Sequence, residues 1–348
     1  MPERDARVDA VQLFAEGAPQ VLVAGATGFA GALAAELVWR HPGFELVGVT
    51  GRSEVGRRLD DLYPRHRVPL VIGELELDRT EGLDAAIVAY PHAAAAPTVG
   101  ELRARGVRVV DLSADFRLGS LQAYERWYGE HPRPDLREQA VYGLTELHRG
   151  QIASAGIVAN PGCYPTAAVL GLAPLARAGL LGDVVIDAKQ GISGAGRAFD
   201  DTTHLSLAGE NILPYNVARH RHTPEIEEQL ALLGAELPVQ LQTHLVPLDQ
   251  GELASCYVTP TRPVAPAELA QLMHDAYAAE PFVEVVDEPP GTRDVLQTNF
   301  CRVFAAADGH TGKLVVLSAI DNLWKGTSSQ ALQNLNVMFE LPETEGLL

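Results

Sequence analysis

Cysteine is scarce in this chain: Cys163, Cys256 and Cys301 are the only three in 348 residues. They are odd in number and far apart, which argues against a disulfide framework and excludes a CxxC metal pair. A reducing cytoplasm is the expected setting. Positive charge is also short, with 27 Lys and Arg against 45 Asp and Glu and a net charge of −18. So acidic a surface repels phosphate backbones and anionic lipid, so neither nucleic acid nor membrane is expected as a partner. A local basic pocket for a small anion remains compatible with that balance. No apolar run approaches the ~18 residues that a membrane span needs. Met1 to Gln20 carries Glu3, Arg4, Asp5, Arg7 and Asp9 and has no apolar core, so no export signal is expected there. Internal repeats and low-complexity tracts are absent.

The chain has the length of about two domains. With 47% hydrophobic residues, it can bury a core without help from disulfides or metal. Val21–Ala24, Phe44–Val49, Ala85–Tyr90 and Val107–Val110 read as buried strands, and Phe29–Arg40 as a helix stopped by His41-Pro42-Gly43. Strands alternating with helices predict an α/β, Rossmann-type, doubly wound parallel sheet over residues 1–159. From Asn160 the pattern changes. Thr166–Gly179 reads as a helix, Asp183–Ala188 and Leu314–Ile320 as strands. Gln240–Pro247 and Glu252–Thr259, joined through Pro247–Gly251, read as an antiparallel hairpin. Residues 160–324 are therefore expected to form an α+β domain with a mixed or antiparallel sheet. The last helix, about Ser328–Phe339 within residues 325–348, is expected to pack back on the first domain.

Gly25-Ala-Thr27-Gly28-Phe29-Ala-Gly31 follows a strand and opens a helix. Its GxxGxxG spacing lets backbone amides approach a pyrophosphate at the helix N-terminus; the plainer alternative is a structural turn. The second strand ends at Val49-Thr-Gly-Arg52-Ser53 without the acid that NAD binders use for the ribose. Arg52 can pair with a 2′-phosphate and Ser53 can hydrogen-bond it, so NADP(H) is the predicted cofactor. A solvated loop charge is the alternative for Arg52.

Asn160-Pro-Gly-Cys163-Tyr-Pro-Thr166 places a cysteine in a turn that opens a helix. Amides and macrodipole there favour a thiolate, the form that attacks carbonyl carbon. A buried apolar filler is the usual role of a lone cysteine, and Cys256 and Cys301 are assigned to it. His220-Arg-His222-Thr-Pro-Glu225 precedes a helix in which Thr223 resembles an N-cap. An extended approach to that cap puts His220 and His222 on one side, where either can serve as an acid–base group. As a metal pair they lack a third ligand at suitable spacing, so no metal is expected. Gly191–Arg197, with Ser193 and Gly194, is a second glycine-rich loop, either an anion nest with Arg197 adding charge or a flexible surface loop. Arg117, ending Asp111–Arg117 at a strand terminus, is a candidate clamp for a substrate carboxylate.

The segments GATGFAG, DLSADFR, VYGLTEL, NPGCYPTA, GISGAGR, HRHTPEI and DNLWKG, in this order, closely resemble the N-acetyl-γ-glutamyl-phosphate reductases of arginine biosynthesis. That family is similar in fold to aspartate-semialdehyde dehydrogenase. The resemblance implies that Cys163 is the nucleophile and that His220 and His222 serve acid–base work or substrate contact. It implies that Gly25–Gly31 bind NADP and that Asn322, Lys325 and Gly326 lie near the nicotinamide. It also implies a homodimer or homotetramer. Departures fall at Thr145 (usually Pro), Gln250 (usually Arg) and Thr327-Ser328-Ser329 (usually small residues). The expected chemistry is reduction of an acyl phosphate through a Cys163 thioester, with Arg117, Asn160 and Arg197 holding substrate. One rival is the related lysine-pathway reductase, whose acidic carrier a chain at −18 repels. Another is a non-catalytic NADP sensor, which needs neither Cys163 nor the histidines.

Overall fold

The computed structural model describes residues 14–15, 17–198 and 203–348. The expectation for Met1–Gln20 falls mostly outside them. The first sheet has seven strands: β1 (Gln20–Ala24), β2 (Glu45–Thr50), β3 (Ile72–Gly73), β4 (Ala85–Val88), β5 (Arg108–Asp111), β6 (Ala140–Tyr142) and β7 (Ile157–Ala159). Their order is β3-β2-β1-β4-β5-β7-β6, and every pairing is parallel. Helices lie on both faces, which is why β4 and β7 are apolar throughout. Phe29–Arg40 packs in one core and Ala95–Ala104 in the other. Of the seven strands, β3, β6 and β7 are missing from the sequence reading, because two or three residues are too short to show a period.

The second sheet comprises β8 (Leu181–Gly191), β9 (Leu213–Tyr215), β10 (Val239–Val246), β11 (Glu252–Pro260), β12 (Val283–Val285), β13 (Cys301–Ala307) and β14 (Leu314–Ile320). Its order is β12-β13-β14-β11-β8-β10-β9 and its pairing is mixed. The expected β10–β11 hairpin does not form. β8 lies between the two, parallel to β10 and antiparallel to β11. The Pro247–Gly251 link instead straddles the end of β8, where Gly191 N–H donates to the Gly251 carbonyl (2.9 Å) and Ile192 N–H to that of Leu248 (2.8 Å). Gly251, at φ +107°, permits this turn.

The helix Cys163–Arg177 lies under the second sheet with Thr223–Leu232 and Pro266–Tyr277. A π-type turn at Trp324–Ser328 leads into Ser329–Met338, which packs against Phe29–Arg40 and Thr145–Ile152 beside the first sheet. Three of the departures from the family pattern meet here. The hydroxyl of Ser328 donates to the Ala30 carbonyl (2.8 Å) and that of Ser329 to Asn299 (2.7 Å), while Thr145 donates to Asn334 (2.9 Å). Each of these three hydroxyls finds an acceptor. No helix among the described residues is long and apolar enough to cross a membrane.

Candidate active site

Two turns bring the functional groups together. β1 runs into Gly25–Gly28, and Phe29 opens the first helix with Gly28 as its N-cap and no side chain capping its amides. Gly25 sits at φ +93°, and a Cβ there would lie 2.6 Å from the Ala89 carbonyl oxygen. A Cβ on Gly31 would overlap the carbonyl of Gly25. Only glycine allows this cradle, which borders a cavity of about 570 Å³ lined by Thr27, Gly28, Arg52, Ser53, Tyr90 and Arg197. Arg52 lies over the Tyr90 ring at 5.0 Å and makes no ion pair among the described residues. Uncapped helix amides, glycines where backbone approaches closely, and a free guanidinium fit a dinucleotide and its phosphates.

β7 delivers Asn160-Pro161-Gly162 into the second turn, and Cys163 is the first residue of its helix. Gly162 is the N-cap; a Cβ on it would meet the His222 ring at 2.6 Å and an Arg117 nitrogen at 3.0 Å. Glu225 is the hub of the turn. Its Oε1 accepts from Gly162 N–H (2.9 Å) and the Tyr142 hydroxyl (2.7 Å), and its Oε2 faces Arg117 (3.4 Å). The Cys163 sulfur accepts a hydrogen bond from Gln190 Nε2 (2.9 Å). The Tyr215 hydroxyl reaches the other end of that amide (3.4 Å) and the Tyr164 hydroxyl (2.9 Å). A Cβ on Gly194 would collide with the Gln190 amide, so that loop glycine makes room for the group that contacts sulfur.

His220 and His222 do meet, with ring centroids 4.9 Å apart. The cause is a turn rather than an extended segment: Thr223 N–H donates to the His220 carbonyl and His222 is itself the N-cap. The helix thus starts at the predicted cap itself, one residue earlier than expected. His222 Nδ1 is buried without a hydrogen-bond partner among the described residues. Burial holds both imidazoles down to about 3, so both rings are neutral. The thiolate expected at the helix mouth is not what this environment favours. Burial, then the carboxyl of Glu252, pushes the Cys163 thiol well above its ordinary value, and the neighbouring Tyr164 amide offsets only part of this.

Cys163, His220, His222, Arg117 and Gly194 line one cavity of about 550 Å³, which shares Tyr90 and Pro91 with the dinucleotide cavity. Phe29 and Ser193 line a third, about 570 Å³, beside Arg197. Arg197 itself bonds the Thr27 carbonyl (3.3 Å) and Glu54 (3.0 Å), so it sits at the glycine turn and not at the sulfur. Asn160 is fully buried between Thr327 and Asn334. Asn322 is held by Gly251 and Ser193. Lys325 is also fully buried, its ammonium on Glu146 (2.5 Å) and Gln333 (2.7 Å). These three side chains line none of the cavities just described. Gly326 packs against Cys163, whose Cβ a methyl there would meet at 2.8 Å. Cys256 and Cys301 are buried free thiols. Among the described residues no group of three His, Cys, Asp or Glu is arranged to hold a metal. Gln190, Tyr215, Glu225 and Glu252 escape the sequence reading. Of these, only Glu225 carried a signal, its place within HRHTPEI.

Residues 20–155 match the semialdehyde dehydrogenase NAD binding domain, and residues 163–322 the semialdehyde dehydrogenase dimerisation domain. The N-acetyl-gamma-glutamyl-phosphate reductase of Desulforudis audaxviator is 47% identical over 94% of this chain and 98% of its own. That of Moorella thermoacetica is 46% identical over 93% and 96%. Among solved structures, aspartate semialdehyde dehydrogenase II from Vibrio cholerae superposes with a TM-score of 0.72 at 17% identity, covering 93% of this chain and 99% of that one. The Candida albicans aspartate semialdehyde dehydrogenase with NADP gives 0.66 at 16%, covering 92% and 98%. At these identities the likeness carries the fold alone.

Proposed function

This chain belongs to the N-acetyl-γ-glutamyl-phosphate reductase family, and from that premise we propose how its residues reduce N-acetyl-γ-glutamyl phosphate to the 5-semialdehyde. The observation that carries the reading is Cys163 at a helix N-terminus, bonded by Gln190, in one cavity with two imidazoles and Arg117. The sulfur attacks the acyl carbon, and phosphate leaves with the C–O electron pair, giving a thioester. The Gly25–Gly31 turn, with Arg52 and Ser53, would hold NADPH, which would supply the hydride that takes the thioester carbon to the aldehyde level. His222 is the better placed of the two imidazoles, because its ring adjoins Gly162 and one of its nitrogens is unpartnered. It steadies the oxygen as negative charge develops there. His220, Arg117 and Arg221 add cationic or hydrogen-bonding groups for the phosphate and carboxylate.

NADP(H) is preferred over NAD(H), since Arg52 and Ser53 stand where an NAD binder places an acid. Residues 1–159 with 325–348 form the cofactor unit. Residues 160–324 form the catalytic and dimerisation unit of a homodimeric or homotetrameric cytoplasmic enzyme. Cys163→Ala is expected to abolish phosphate-dependent oxidation of the semialdehyde while NADPH still binds. Near-normal turnover in that variant would refute covalent catalysis.

A further inference from the structure

Glu252 is a buried carboxyl that the mechanism above leaves unused. It is the first residue of β11, in register with Gln190 on β8 and Ile320 on β14. Its backbone is anchored next door, where Gly251 N–H donates to Asn322 Oδ1 (2.8 Å). The side chain is 0% exposed, and neither oxygen accepts a regular hydrogen bond from the described residues. Such a group is costly to bury and needs a reason. It stands beside the Cys163 thiol, whose ionisation its charge opposes, with no regular hydrogen bond joining the two. The same sulfur is held from β8 by Gln190.

Resting on the thioester reading, we propose that Glu252 is the group that takes the Cys163 thiol proton as the sulfur attacks. The S–H bond breaks, the proton passes to the carboxylate, and the S–C bond forms. Phosphate leaves with the C–O pair and takes a proton from water. When the C–S bond later breaks to free the aldehyde, the carboxylic acid returns its proton to sulfur, and both groups are restored.

Proton affinities favour this partner over the imidazoles. Transfer is efficient when donor and acceptor are matched. The thiol is pushed well up, and both histidines are held to about 3. Glu252, raised to about 8 by burial and by Asp321, stands far closer to the thiol. The other groups that sense it are Cys301 from β13 and the hydroxyls of Tyr164 and Tyr215. Burial raises all three, so they are neutral here.

The test pairs two readouts in wild type, Glu252→Gln and Glu252→Asp. The first is the pH profile of acyl-enzyme formation, read as phosphate release without cofactor. The second is iodoacetamide labelling of Cys163 at pH 9 with no substrate present. In wild type, acylation is expected to rise about tenfold per pH unit and level off near pH 8. In Glu252→Gln it falls on the order of 10²-fold or more and loses that inflection, and Glu252→Asp recovers part of it. Labelling of Glu252→Gln is expected to be at least as fast as wild type, because a neighbouring anion is gone. Acylation within about threefold of wild type on an unchanged profile overturns the proposal. So does a parallel fall in acylation and labelling, which marks a packing role. A wild type that forms no acyl-enzyme instead sinks the thioester reading itself.

Discussion

Gly162 is separated from His222 and Arg117 by little more than a hydrogen atom, and many side chains here are placed by such single contacts. Arg52 is different: it lies over Tyr90 and keeps its guanidinium edge for a ligand. Arg52→Ala is expected to raise the KM for NADPH about tenfold or more, as loss of a charge-assisted pair costs roughly 1.5–3 kcal/mol, and to leave that for NADH nearly unchanged. Equal effects on the two KM values contradict a 2′-phosphate contact. At this scale the sequence made Cys163, His220, His222 and Arg117 legible, because rare residue types stood in turn-forming contexts. Gln190 and Glu252 were silent. Each sits on a strand, and nothing local tells that its neighbour across the sheet points at a sulfur. Lys325, which the family resemblance puts near the nicotinamide, is fully buried and paired with Glu146.

The elements that hold the two turns are the helices Phe29–Arg40 and Cys163–Arg177, each entered from a parallel strand through glycine. Gly31 lies in the first turn of the former, against the Gly25 carbonyl. Gly31→Ala is expected to push the helix off the strand and weaken NADPH binding at least tenfold, measured by the fluorescence of bound cofactor. Unchanged affinity contradicts the cradle. Phe29–Arg40 was readable to its ends because Gly28 and His41-Pro42 punctuate it. The β10–β11 pairing was misread because both flanks alternate, and alternation carries no information on which strand lies alongside. β8, some 50 residues earlier in the chain, takes the place between them, a contact no local pattern encodes.

The molecule as a whole titrates against itself. His220 and His222 stay neutral in the fold down to about 3 but take protons near 6.5 when unfolded, and His41 and His131 are also lowered by burial. Between these values the unfolded chain binds more protons, so stability is lost as pH falls below about 6.5. Asp111 and Glu252 run the other way. Burial raises them to about 7 and about 8, so the folded state holds the extra protons and stability is lost as pH rises toward those values. The thermal midpoint is therefore expected to peak near pH 6.5 and to fall on both sides. A midpoint that climbs steadily to pH 8.5 would mean that these two carboxyls are ionised in the fold. Mass spectrometry reads the covalent bond between Cys163 and the acyl group directly. The enzyme is mixed with N-acetyl-γ-glutamyl phosphate without NADPH, quenched in acid and digested. One N-acetylglutamyl adduct is expected, on the peptide holding Cys163. Phosphate release with that peptide unmodified, or with the adduct on another residue, would contradict it.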